Sequence, residues 1–308
     1  MYKYILRRVL VAIPTLLGVT IVTFVLMKSL PGNPVEAMIG ERADPQVVEE
    51  IRAQLGMDRH VVVQYTGYLW LLCRGELGRS YFTNVPVARS LMQKFPNTLR
   101  LAVAAMAVAV AIGLVLGVVS AVKRDSLADR FSTIVASLGI STPVFWLGLI
   151  LIIVFANWLG WLPAGGMGDG RLSFLVLPAI ALGTRSAAYI ARITRSAMIE
   201  VLSQDYIRTA RAKGLSTLRV NLRHALRNAL IPIVTLVGVD FGSYLNGAVL
   251  TETIFRWDGI GRYAMDGIAG RDYPVILGTV LFGAAVFVVV NLMVDVSYAW
   301  LDPKVRRR

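Results

Sequence analysis

Residues that build disulfides and metal sites are almost absent from this 308-residue chain. It has one cysteine, Cys73, and two histidines, His60 and His224, which are far apart in the sequence. A single cysteine excludes a disulfide within the chain, and two distant histidines form no cluster at the spacing of metal ligands. We therefore expect no metal site in this chain.

Catalytic signatures are missing as well. The chain has no G-x-x-x-x-G-K-[ST] loop for nucleotide phosphates, and its glycine-rich stretch 165–170 has no preceding strand and no helix-opening lysine. The G-x-S-x-G motif of serine nucleophiles is also absent. We assign no catalytic residue and no cofactor to this chain, so energy for any transport work must come from partners.

Apolar residues, in contrast, are abundant. They make up 56% of the chain, and the mean hydropathy is +0.63. Soluble domains average about 45–50% apolar residues, so the composition indicates a membrane protein. A helix needs about 20 apolar residues to cross a bilayer. Six stretches meet or approach this requirement: 9–27, 101–122, 131–157, 172–191, 229–251 and 275–294.

The first apolar stretch resembles a signal peptide because basic residues precede it. Residues 9–27 are, however, longer than the ~7–15 residues of a signal core, and no small-x-small cleavage site follows. We interpret the stretch as a retained first span.

Lys and Arg concentrate at the N-terminus, in the turn 123–130, in the loop 192–227 and in the tail 304–308. Short loops rich in Lys and Arg stay on the cytoplasmic side of a membrane, which predicts that both termini are cytoplasmic. The segment 31–97 then faces outward, with two amphipathic helices predicted at 45–55 and 61–73.

The basic stretch 205–232 lies between two predicted spans. A nucleic-acid arm, a lipid-surface helix, a solvated loop and a docking helix are all basic, so charge alone does not choose among them. No nucleic-acid recognition motif is present. Small residues before Gly214 favour close approach of a soluble partner, and Gly214 is suited to the left-handed turn that ends a helix. We expect the next helix to begin at Ser216.

The same stretch carries a resemblance to a known family. "DYIRTARAKGL" followed by "RHALRNALIP" resembles the coupling loop of permease subunits of ABC importers, in the dipeptide, oligopeptide and nickel branch. Arg208 and Thr209 depart from the Glu and Ala of the general family pattern. Further segments follow in family order, among them "LPGNP", "PNTLRLA", "SLGISTPVFWLG", "ETIFRWDGIGR" and "RDYPV".

The resemblance implies an all-α polytopic membrane protein with six transmembrane helices. The predicted spans and their orientation divide the chain into the cytoplasmic N-terminus and first span (1–30), an external segment (31–97) and a five-span core (98–308) with a cytoplasmic coupling loop (192–228). The implied function is that of a permease subunit of an ATP-driven importer for peptides or similar small solutes in the cell membrane. A secondary, ion-coupled transporter is the alternative, and a membrane receptor or scaffold is a third class.

The resemblance also implies partners. These are a homologous second permease subunit, two cytoplasmic subunits that bind ATP and Mg, an extracytoplasmic substrate-binding protein and membrane lipid, with no nucleic acid. In this picture the helix before Gly214 sits in a groove of one ATPase subunit. The residues expected to make that contact are Asp205, Tyr206, Thr209, Ala210, Ala212, Lys213 and Gly214.

Two charged residues interrupt the predicted spans. Arg185 is expected toward the cytoplasmic end of the fourth span and Asp240 near the middle of the fifth. Ionisable groups inside a bilayer are costly, and they face a partner or a water-filled path. Three interpretations stay open: the two residues form a structural pair, line the transport pathway, or contact the partner permease.

Overall fold

The structure is a computed structural model that describes residues 2–29, 58–245 and 248–301, together with the isolated residues 46 and 49. These residues are helical and contain no β-strand. The helices are α1 (Tyr2–Ser29), α2 (Val61–Cys73), α3 (Val87–Val122), α4 (Leu127–Ser141), α5 (Val144–Leu151, continued by a π-helical turn Ile152–Trp158), α6 (Ser173–Leu202), α7 (Asp205–Ala212), α8 (Thr217–Arg219, continued by a π-helical turn Val220–Leu226), α9 (Arg227–Leu245), α10 (Val249–Ile254), α11 (Ile260–Gly270) and α12 (Tyr273–Leu301).

Helices α3 and α6 form the central pair, and they approach closely because glycines lie at their interface. A Cβ atom on Gly113 would lie 2.7 Å from the carbonyl oxygen of Ala187, and one on Gly183 would lie 2.5 Å from that of Ala105. In a membrane, helices associate through packing, because lipid supplies no hydrophobic drive between them. Small residues therefore allow the two long helices to form the core.

The predicted third span, 131–157, is broken in the structure. Helices α4 and α5 meet at an angle of 106°. The break lies at Thr142 and Pro143, where the backbone of Thr142 is extended. A residue before proline is driven out of the helical region by the proline ring, which explains the position of the bend. A second bend, of 54°, separates Thr217–Leu230 from Pro232–Leu245.

The described helices give a range for the number of membrane spans. By length and composition, three described helices can cross a membrane, or up to five if each bent pair is one span. Helix α1 adds a shorter apolar stretch, Leu10–Leu26. The count of six spans stays a prediction.

The predicted external helix 61–73 is present as α2, but it is not amphipathic. None of its residues is buried, and apolar side chains such as Val62 and Trp70 are exposed. It packs on α1 through Tyr65, whose hydroxyl lies 2.9 Å from that of Thr20. The surface of α2 is thus apolar on several sides because few polar residues interrupt it. The other predicted external helix, 45–55, lies outside the described residues.

Two of the expected segment boundaries, between residues 97 and 98 and at residue 192, lie inside continuous helices. Helix α3 begins at Val87 and runs across the boundary between residues 97 and 98. Its first turns, at Val87 and Leu91, are buried against Ile260 and Val275. The coupling loop 192–228 is also largely helical, because α6 continues beyond its apolar part to Leu202.

Candidate functional site

Helix α7 lies between α6 and α9, and its end follows the sequence prediction. Gly214 has a φ of +77°, in the left-handed region, and its N–H donates to the carbonyl of Arg211 at 2.9 Å. Nothing lies within 4 Å of a Cβ atom at this position. Glycine is therefore favoured here by backbone conformation and not by lack of space. Ser216 precedes α8, where a second helix was expected.

One face of α7 is buried within the chain itself. Ile207 is fully buried and Ala210 is 8% exposed, and both belong to an apolar cluster with Met198, Val220 and Ala225. The expectation that Ala210 faces an ATPase subunit does not fit this position. Ile207 and Ala210 are three residues apart, so they lie on the same helical face. That face is buried because the apolar Ile207 packs in the cluster.

The opposite face of α7 is exposed and polar. It presents Asp205, Tyr206, Thr209, Ala212 and Lys213, which include most of the expected contact residues. The Tyr206 hydroxyl accepts a hydrogen bond of 2.7 Å from the side-chain amide of Asn228, in the first turn of α9. Tyr206 thereby ties α7 to the helix that follows it while its ring stays 44% exposed.

A polar cavity of about 460 Å³ lies between α6 and α9, the helices that precede α7 and follow α8. Both charges that interrupt the predicted spans line this cavity. Its polar lining comes from three residues of each helix: Arg185, Ser186, Tyr189, Asp240, Ser243 and Tyr244.

Arg185 and Asp240 share the cavity without forming an ion pair. No nitrogen–oxygen distance between them is within 4.0 Å; the Arg185 guanidinium lies over the Tyr189 ring, 5.9 Å from its centre. Oδ2 of Asp240 is buried and has no hydrogen-bond partner among the described residues. Of the three interpretations, a direct pair is not formed in this structure.

The structure gives the positions of the two charges along their helices, while their depth in the membrane stays a prediction. Arg185 lies near the middle of α6, because α6 extends to Leu202 and does not end at residue 191. Asp240 lies in the C-terminal half of the described part of α9, Arg227–Leu245. The apolar runs mark the lipid-compatible part of each helix but not its full length.

Sequence reasoning missed a buried carboxylate outside the spans. Glu252, in α10, is fully buried. It accepts hydrogen bonds from the Thr98 hydroxyl at 2.7 Å and from the backbone N–H of Arg262 at 3.0 Å. Burial raises the pKa of Glu252 above its usual value. The neighbouring glycines are a sequence signal, since a Cβ on Gly259 would lie 2.3 Å from this carboxylate.

The chain has long apolar helices, a polar cavity between α6 and α9, and an exposed helix, α7, in the segment that connects these two. This combination is that of a polytopic membrane transport subunit. Residues 113–307 match the family described as binding-protein-dependent transport system inner membrane component. Residues 1–102 match the family described as the N-terminal part of such a membrane component. The chain belongs to this family.

Similar proteins agree with this assignment. The chain is 46% identical to the di/tripeptide transport system permease protein DppB of Pseudomonas aeruginosa, over 100% of both proteins. It is 41% identical to the dipeptide transport system permease protein DppB of Escherichia coli, again over 100% of both. An inward-facing structure of the MetNI methionine ABC transporter has the same fold over 69% of this chain and 96% of that chain, with a TM-score of 0.58 and 17% identity.

These similarities establish the coarse function. The chain is a multi-pass membrane protein and a permease subunit of an ABC importer, as the sequence resemblance predicted. Such a binding-protein-dependent system includes ATP-binding, substrate-binding and second permease subunits. An ion-coupled secondary transporter is not favoured.

Proposed function

We propose that this chain and a homologous second permease form the membrane pathway of a peptide importer. Two ATP-binding subunits and one extracytoplasmic binding protein complete the complex. The observation that carries the proposal is similarity along the whole chain to permeases named for dipeptides and di/tripeptides. Other small solutes of similar size are the second substrate class.

Helix α7 transmits the movement of an ATP-binding subunit to the pathway. Its exposed face, with Tyr206, Thr209, Ala212 and Lys213, fits into a groove of that subunit, while Ile207 and Ala210 anchor it to the permease. Because α7 follows α6 directly and is connected to α9 through α8 and by the Tyr206–Asn228 hydrogen bond, its displacement moves both helices that line the polar cavity. ATP and Mg are bound by the partner subunits, and this chain has no ATPase site of its own.

The coupling role requires α7 and both termini to be cytoplasmic. The concentration of Lys and Arg in 192–227 and at both ends of the chain supports this orientation. The segment 31–97 then faces the substrate-binding protein. Arg185 and Asp240 belong to the transport pathway, as their common cavity suggests.

The test is transport by the complete complex in proteoliposomes. The permease pair, the ATP-binding subunits and the binding protein are reconstituted, and uptake of alanyl-alanine is measured with ATP on the side of the ATP-binding subunits. We expect uptake that requires ATP and binding protein, together with peptide-stimulated ATP hydrolysis. Uptake driven by an ion gradient without ATP would overturn the proposal, and a complex that transports only non-peptide solutes would replace its substrate class.

A further inference from the structure

The polar cavity between α6 and α9 holds two opposite charges in separate places. Arg185 is exposed, its guanidinium lies over the Tyr189 ring, and no carboxylate of the described residues is within 4.0 Å of it. Asp240 Oδ2 is buried without a hydrogen-bond partner among the same residues. Removing an ionised group from water is costly unless another charge or hydrogen bonds compensate. The buried Asp240 oxygen therefore lacks a hydrogen-bond donor, and the guanidinium of Arg185 on the same cavity is free of any ion pair with it, so one bound molecule can interact with both groups.

Two hydroxyl groups of the cavity are hydrogen-bonded to other groups. The Tyr244 hydroxyl donates to the carbonyl of Leu182 at 3.1 Å and lies 2.6 Å from the Ser186 hydroxyl. These two side chains thus satisfy each other and hold α9 against α6. Arg185 and Asp240 lie on opposite helices of the same cavity.

The chemistry of the two residues specifies the ligand class. A guanidinium presents a planar fork of donors that matches a carboxylate, and a carboxylate accepts hydrogen bonds from an ammonium group. The cavity of about 460 Å³ is within the range of ~300–1,000 Å³ that small-molecule sites occupy. A small zwitterion satisfies both requirements with one molecule.

We propose that this cavity is a transient binding subsite for a zwitterionic peptide during its passage. Arg185 receives the peptide carboxylate and Asp240 receives the terminal ammonium. The inference rests on the proposed function, since it names how the passing substrate is held. The subsite lies between the helices that flank α7, so displacement of α7 changes the separation of the two charges and releases the peptide.

The experiment compares peptides that lack one terminal charge, in the complete complex reconstituted in proteoliposomes. Uptake of alanyl-alanine is measured beside that of alanyl-alanine amide, which lacks the carboxylate, and N-acetyl-alanyl-alanine, which lacks the ammonium. Each is used at a concentration that saturates the binding protein. Arg185→Gln should lower the ratio of free-acid to amide uptake about tenfold, the effect of losing one charge-assisted hydrogen bond. Asp240→Asn should lower the ratio of free-amine to acetylated uptake by a similar factor.

Two comparisons separate binding from structure. Val239→Ala, next to Asp240 on a side chain 55% exposed, should leave both ratios unchanged. The double variant Arg185→Gln with Asp240→Asn should lose both preferences. If the two residues acted only as a structural pair, the double variant would instead recover the uptake that each single variant loses. If Asp240→Asn does not assemble, Asp240→Glu takes its place and should retain the preference for a free amine.

For blocked peptides that do not bind the binding protein, binding to the complex without binding protein is measured as the shift in its Tm, and the same ratios are formed from these shifts. Unchanged ratios in both single variants, with normal alanyl-alanine uptake, would overturn the subsite alone. Absence of peptide uptake by the wild-type complex would instead overturn the proposed function.

Discussion

The Thr98 hydroxyl donates a 2.7 Å hydrogen bond to the carboxylate of Glu252, 154 residues further along the chain. Thr98 also accepts a hydrogen bond of 2.9 Å from the backbone N–H of Ile260, at the start of α11. The pair thus joins α3, α10 and α11 in one buried network. Nearby, Lys94 forms an ion pair with Asp258, which links the same elements at the surface.

Substitutions of Glu252 should lower the stability of the protein by an amount that depends on which groups lose their hydrogen-bond partner. In Glu252→Ala the Thr98 hydroxyl and the Arg262 N–H lose their acceptor, and each buried unsatisfied group costs about 1–3 kcal/mol. In Glu252→Gln one oxygen still accepts, and the new amide can donate to the Thr98 hydroxyl, so the loss should be smaller. The measurement is the Tm of the detergent-solubilised complex. Equal Tm values for both variants and wild type would contradict a stabilising network.

The raised pKa of Glu252 predicts a pH dependence of stability. As the pH rises above its ordinary pKa of 4.5, the carboxyl ionises in the unfolded chain before it does so in the folded protein. The folded state then loses stability with rising pH until Glu252 also ionises there. Glu252→Gln removes the titrating group, so the difference in Tm between wild type and variant should change with pH above about 4.5. Parallel Tm curves would show that Glu252 keeps its ordinary pKa.

The two alanines of α7 should respond differently to tryptophan. Ala212→Trp enlarges an exposed residue, so the permease should be produced normally while the ATP-binding subunits no longer co-purify with it. Ala210→Trp enlarges a buried residue, and overpacking of about 1–3 kcal/mol should lower the yield of permease itself. Arg124→Trp, at an exposed position outside α7, is the control and should affect neither. Full co-purification and peptide-stimulated ATP hydrolysis in Ala212→Trp would contradict the coupling role.

Gly183 should tolerate no side chain, because its helix contacts α3 through backbone atoms. A Cβ in Gly183→Ala would lie 2.5 Å from the Ala105 carbonyl oxygen, so α3 and α6 must separate. We expect a marked loss of folded permease, measured as the monodisperse fraction in detergent. Gly67→Ala is the matched control, since α2 has nothing within 4 Å of that position. It should be neutral or slightly stabilising, and equal effects of the two changes would contradict close α3–α6 packing.

The proposed orientation can be tested by thiol labelling after the native exposed cysteine is removed by Cys73→Ser. In that background, Arg171→Cys and Asp266→Cys should react with a membrane-impermeant reagent in intact cells whose outer surface is accessible. Ser216→Cys, just after α7, should react only after permeabilisation. All three positions are exposed, so access to the reagent depends on the side of the membrane. Labelling of Ser216→Cys from outside would reverse the orientation and exclude contact of α7 with cytoplasmic subunits.

Local sequence features were sufficient for the helical class, for most helix positions and for the turn after α7. The apolar runs predicted the long helices because a lipid environment requires apolar side chains and internally bonded backbone. Gly214 predicted the end of α7 because only glycine enters the left-handed region at little cost. Pro143 lies within a predicted span, and its effect on the preceding residue explains the bend between α4 and α5.

The tertiary structure alone decided which groups meet. Ala210 and Ala212 look alike in sequence, yet contacts with Met198 and Val220 bury the first and leave the second exposed. Glu252 looks like one more external charge until α3 and α11 close around it. Arg185 and Asp240 share a cavity without touching because that depends on how α6 and α9 pack. Such contacts join residues far apart in the chain, and local periodicity carries no information about the partner that a side chain will meet.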